Sequence, residues 1–290
     1  NPYVAQVIKE RAPEIKVNIS VIANVDTTNK AAFFESMGAD ALYVPPDANR
    51  DFRFLRALRK AVSCELVILV NEGCLLQCPL RDYHYGLTSH SGEAQRRGYF
   101  MDYPFLACST SRASDPVQFL KSPWVLPQDL AKYEELGIDS FKIAGRTERE
   151  EWLLRVVRAY SARQFQGDLV ELIELFTNMA RFGQVPVRID TTKLEGFLEG
   201  FEEMNCRQGC GTCRYCDHWA EKAIAVPSQE YEAHYAEELK KTLKTVNSGS
   251  FRSRYSGTAT VQQEQFAHNL IAGSPTAKQR DDGNELPESL

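Results

Sequence analysis

Seven of the eight cysteines in this chain fall into two spaced sets. The first is Cys74-Leu-Leu-Gln-Cys78, with Cys108 one loop further on. The second is Cys206, Cys210, Cys213 and Cys216, a CxxxCxxCxxC run. Thiolates are the ligands of zinc and of iron–sulfur clusters, and such spacings let several sulfurs converge on one point. The first set suits a cluster held by three thiolates, with one iron open to substrate or bound by a ligand from elsewhere. The second fits a cubane [4Fe–4S] cluster and a zinc site equally, and Gly209 and Gly211 let its backbone fold tightly. The alternative is unconnected thiols, which clustering in so short a stretch argues against. Cys64, alone before a strand, reads as a buried structural thiol.

Other groups stand near the first set. Asn71 and Glu72 follow one strand, and Lys142 and Arg146 flank the end of another. There they would bind an anionic substrate or act as acid and base, although Glu72 and Lys142 read equally well as a buried ion pair. His84 and His90 lie in the same loop as the thiols. There is no G-x-S-x-G elbow, H-E-x-x-H pair or P-loop, so a serine triad or zincin site is unsupported. Cys206, Cys210 and Cys213 also match the CxxxCxxC of radical S-adenosylmethionine enzymes. They lie late in the chain, however, and no glycine-rich cofactor motif follows.

The elements that must carry these groups alternate. Strands are expected at 16–24, 39–44, 65–71, 123–126 and 139–144. Helices are expected at 3–12, 26–37, 51–61, 127–137 and 148–162, with Thr147 as the last cap. Strand–helix alternation with short connections is the pattern of parallel βαβ units, whose active sites form beyond the C-terminal strand ends. Residues 1–167 thus read as part of an α/β barrel of the TIM type, with the thiol loop at 72–108. From 168 to 247 a helical extension is expected, with helices at 168–182, 192–204 and 228–246 around the Cys-rich run. Residues 248–290 turn to Ser, Gly, Gln, Thr and Asp and read as disordered.

The 290 residues carry a net charge of −5, with 43% hydrophobic and 25% charged residues. That predicts a globular chain with no strong general attraction to nucleic acid, and the basic side of helix 51–61 (Arg53, Arg56, Arg59, Lys60) reads as solvated surface. No run approaches the ~18 apolar residues of a membrane span. Clustered cysteines without a secreted disulfide framework suggest the cytoplasm.

Asn71-Glu-Gly-Cys-Leu-Leu-Gln-Cys-Pro79, Ser122-Pro-Trp-Val-Leu-Pro-Gln-Asp-Leu130 and Gly137-Ile-Asp-Ser-Phe-Lys-Ile-Ala-Gly-Arg146 resemble the collagenase-like peptidase family, number thirty-two of the unassigned ("U") peptidases. Glu151-Trp-Leu-Leu-Arg-Val-Val-Arg-Ala-Tyr160 fits too, and the resemblance runs over roughly residues 1–217. It implies a TIM-like barrel with an iron–sulfur cluster on its upper face, ligated here by Cys74, Cys78 and Cys108. It implies oxygen-independent hydroxylation of RNA or of a small aromatic or quinone-type substrate, with a paired protein of the same family as a partner. Glu72, Lys142 and Arg146 would then be catalytic. Other members are named proteases, so peptide cleavage is the second expectation. A non-enzymatic binding module with structural zinc at Cys206, Cys210, Cys213 and Cys216 is the third. A closed barrel has eight strands, so about three are expected to precede Asn1.

Overall fold

The computed structural model describes residues 2–86, 103–146, 148–175, 187–204, 206–225 and 229–247. Its frame is a parallel sheet of four strands in the order β1 (Asn18–Ile19), β2 (Ala41–Tyr43), β3 (Glu65–Leu69) and β4 (Ser140–Lys142). Pairs such as Leu42–Leu66 and Ile68–Phe141 set the register. β3 lies inside the sheet, and Leu66 through Asn71 are all buried. That is why this stretch is an unbroken apolar run rather than an alternating one.

Helices α1 (Pro2–Arg11), α2 (Thr28–Ser36) and α3 (Phe52–Ala61) cross between or flank these strands. α2 starts where Thr27 Oγ1 accepts the Lys30 N–H at 3.2 Å. It stops at Gly38, whose φ of 88° suits glycine. α3 is capped by Asp51, which accepts the Phe54 N–H at 2.9 Å, and it buries Phe52, Leu55 and Leu58 on one face. Its basic side is not all solvated surface. Arg53 hydrogen-bonds the Glu203 carbonyl and Arg56 pairs with Glu202 at 3.6 Å, so this side holds the 199–204 segment.

Beyond the thiol loop come α4 (Tyr103–Ser114), α5 (Val117–Lys121), α6 (Leu130–Glu134) and α7 (Glu150–Ala162). The fifth expected strand, 123–126, is not a strand. Val125 donates to the Val70 carbonyl at 2.8 Å, but no ladder forms beside β3. The reason is that β2 and β4 already occupy both sides of β3; the segment is held instead by Tyr160 of α7, whose hydroxyl reaches the Val70 and Val125 carbonyls at 3.1 and 2.8 Å. The sheet seen is therefore a four-stranded parallel one within a mixed α/β fold.

The region after 168 is not purely helical. Its expected first helix is a 3-10 turn, Leu169–Glu171, with 176–182 outside the described residues. The second is two 3-10 turns, Thr191–Leu194 and Glu199–Glu202. Between the first and the second lies β5 (Arg188–Ile189), which pairs antiparallel with the later β6 (Ile224–Ala225). α8 (Tyr215–Ala223) precedes β6, and α9 (Gln229–Asn247) follows it and packs on α4 through Leu106, Ala113, Tyr235 and Leu239. His90, the Thr147 cap and the 248–290 tail lie outside the described residues. Among the described residues no helix is long and apolar enough to cross a membrane.

Candidate functional site

The first thiol set grows out of the C-terminal end of β3. Asn71, fully buried, ends the strand. Its Nδ2 donates to the carbonyls of Ala144 and Leu172 at 3.0 and 3.3 Å, and its Oδ1 accepts the Ala144 N–H at 2.7 Å. Asn71 therefore knits the ends of β3 and β4 together rather than facing a substrate. Glu72 is buried as well, and its Oε1 accepts the Cys74 N–H at 3.0 Å. Gly73 fits because the backbone of Glu174 is so near that a Cβ would come within 2.3 Å of its carbonyl oxygen.

Cys108 is not in a loop: it sits on α4, one turn before Arg112. Arg112, 5% exposed, hydrogen-bonds the Gly73 carbonyl and donates from Nη1 to the Cys108 sulfur at 3.5 Å. One guanidinium thus links the Cys74 loop to Cys108. Arg81 is ion-paired with Asp47 and donates to the Leu75 carbonyl at 2.7 Å, inside the CxxxC loop. Burial, then Glu72, pushes the Cys74 thiol well above its usual range, against the pull of Arg81 and Arg112. Burial also raises Cys108, with Arg112 opposing it and Cys78 adding to it. The Nε atoms of both arginines are buried and have no hydrogen-bond partner among the described residues.

The second set lines one open cavity. Cys206, Cys210, Cys213 and Cys216 are joined there by Phe201, Met204, Tyr215 and Lys121. Tyr215 is anchored by donating to the Phe197 carbonyl at 2.8 Å. Burial pushes Cys206 to about 11 and Cys216 to about 12, with Arg50 pulling both down.

Lys142 and Arg146 are exposed, and Lys142 lies 5.0 Å from the Tyr43 ring centre. The ion pair weighed for Glu72 and Lys142 does not form, because one side chain is inside the loop and the other faces out. His84 is half-buried beside the loop. Cys64 is half-buried with its N–H on Glu35 at 2.7 Å, away from both sets.

Among the described residues no three Cys, His, Asp or Glu side chains already stand in a ready ligating arrangement. Binding a metal therefore needs side-chain rotation. The donor chemistry fits one: soft sulfurs in both sets, and buried guanidinium N–H groups left unpaired beside the first, where thiolates carry negative charge. Sequence reasoning missed Arg50, Arg81 and Arg112. Only Arg112 carries a signal, its i+4 spacing from Cys108 on a helix.

A sequence profile described as peptidase family U32 matches residues 1–164. The "uncharacterized protease MJ1657" of Methanocaldococcus jannaschii is 34% identical over 226 residues, 78% of this chain and 65% of that protein. The chain thus spans about 65% of the length of this curated relative. A solved structure described as "The Structure of the U32 Peptidase Mk0906" is 26% identical and covers 50% of this chain and 52% of that one, with a TM-score of 0.38.

Proposed function

The chain belongs to peptidase family U32, and on that premise we propose that it is an iron–sulfur protein. Its cluster is held by Cys74, Cys78 and Cys108, and it serves an oxygen-independent hydroxylation of RNA or of a small aromatic or quinone-type substrate. The observation that carries this reading is Arg112, which bridges the Cys74 loop and Cys108 with its Nε unpaired. A bound cluster would supply one-electron steps at this point.

The chain's own residues do the rest. Glu72 fixes the Cys74 backbone. Cys74 and Cys108 are half-buried, which limits the access of water to the sulfurs. Lys142 and Arg146, exposed at the end of β4, are free to meet an anionic substrate.

Peptide cleavage, which the family name and the relative's name suggest, is the second reading. A cysteine nucleophile needs a lowered pKa, whereas burial raises Cys74 and Cys108. The test is anoxic purification with iron, acid-labile sulfide and zinc measured per chain, repeated for C74S and C64S. Iron with matching sulfide, lost in C74S and kept in C64S, is expected. Iron-free protein that cleaves a peptide would overturn the proposal in favour of the peptidase.

A further inference from the structure

Arg50 is a buried charge that the proposed reaction does not use. It is 7% exposed. It donates from Nη1 to the Leu120 carbonyl at 2.8 Å, from Nη2 to Ser122 and Trp124, and from Nε to Trp124 at 3.0 Å. Its guanidinium stacks 4.4 Å from the Trp124 ring centre and 5.0 Å from that of Phe201. Among the described residues no carboxylate is within ion-pair distance of it. Carbonyl dipoles and ring faces soften a buried charge but do not neutralise it, and an uncompensated one is costly.

The geometry supplies one candidate for the missing anion. Phe201, on which Arg50 stacks, is also a wall of the four-thiol cavity. Arg50 and Cys206 together line a second, narrow cleft. Lys121, between the Leu120 and Ser122 carbonyls of the clamp, lines both. We infer that Cys206, Cys210, Cys213 and Cys216 hold a second, thiolate-bound metal centre, and that Arg50 is the fixed counter-charge that favours it.

The balance is simple. A divalent ion and four thiols give a four-thiolate complex and four protons released to solvent. The complex has a net charge of roughly −2, as does a cubane cluster on four thiolates in its usual oxidised form. Two cations, Arg50 and Lys121, stand beside it. Arg50 acts through the charge of the site and not by ligation, which makes it a positioning residue.

The competing account is that Arg50 only clamps carbonyls. Lysine keeps the charge but lacks the planar fork, so R50K and R50M separate the two. The probe is zinc, titrated into the reduced, metal-stripped full chain against a chromophoric chelator, with melting curves before and after loading. The C210S/C213S variant defines the zinc belonging to this site, independently of Cys74. Both Arg50 variants are expected to melt lower than wild type without metal. For the site's zinc, R50K should bind within about threefold of wild type and R50M at least tenfold more weakly than R50K. A folded R50K that binds zinc beside an R50M that does not fold also supports the counter-charge.

Equal affinity in R50K and R50M overturns it, as does failure of R50K to fold, which assigns Arg50 to the clamp. Zinc binding unchanged in C210S/C213S overturns the centre itself. In protein purified without added metal, sulfide lost in C210S/C213S identifies a cluster, and zinc lost without sulfide a zinc site; either supports the centre. Loss of iron in C74S alone bears only on the first thiol set.

Discussion

N71A is the sharpest test of how the first thiol loop is held. Asn71 is fully buried, and removing its amide strands three partners: the Ala144 N–H, the Ala144 carbonyl and the Leu172 carbonyl. Each unmet group costs about 1 kcal/mol or more when buried. The Ala144 pair is only partly buried, so we take about 3 kcal/mol for the whole. At ~2–4 °C per kcal/mol for a domain of this size, the melting temperature should fall by about 6–12 °C. The assay is urea unfolding followed by circular dichroism, with a parallel thermal scan. N71D is informative beside it. It keeps one acceptor but sets an anion against two carbonyls, so near neutral pH it should be at least as unstable as N71A. Acid should partly rescue it, because a protonated carboxyl donates again. The loop to Cys74 begins at this residue, so iron at the first set should fall in step with stability. An N71A chain within ~0.5 kcal/mol of wild type would refute the reasoning. It would mean that water reaches the ends of β3 and β4 and that the loop is held by something other than this amide.

Three further outcomes are expected. A chain ended at residue 225 loses α9, so amide exchange in α4 should quicken and iron at Cys108 should drop while β3 stays protected. Burial, then the neighbouring Glu199, raises Asp129 from 3.8 to about 6. Its folded form holds a proton that the unfolded chain gives up, so the neutral group favours folding below pH 4 and that advantage is lost as pH rises towards 6. D129N should therefore be more stable than wild type at pH 7.5, by on the order of 2 kcal/mol, and nearly equal at pH 4; equal melting shifts at both would contradict this. Y160F removes the hydroxyl that ties the Val70 and Val125 carbonyls, and should cost about 1 kcal/mol in urea unfolding.

The strands and helices before residue 167 were largely legible because parallel βα units write themselves as apolar runs separated by caps and glycines. The error at 123–126 shows the limit of that signal. An apolar tetrapeptide opened by proline looks like a strand, and only the pairing of β4 with β3, set from elsewhere in the chain, leaves it no place in the sheet. The thiol spacings drew attention to both sets, but pattern could not say that Cys108 rides a helix or that Glu72 is turned inward to the Cys74 N–H. The buried arginines were invisible for a related reason. Arg50 and Arg112 are polar letters among polar letters until the partners that bury them arrive from elsewhere in the chain. The short β5–β6 pair escaped because two-residue strands leave no periodicity to read.

The packing of α9 on α4 has a consequence for biosynthesis. Ser114 and its hydrogen-bond partner Glu232 are 118 residues apart. At ~5–20 residues per second of translation, about 6–24 s pass between the emergence of Cys108's helix and that of its brace. Through that interval Cys74, Cys78 and Cys108 are all outside the ribosome before their surroundings are complete. An iron-delivery protein would have its widest access then, and so would an oxidant. Slowing translation across 115–228 should therefore lengthen both the opportunity for loading and the exposure to damage.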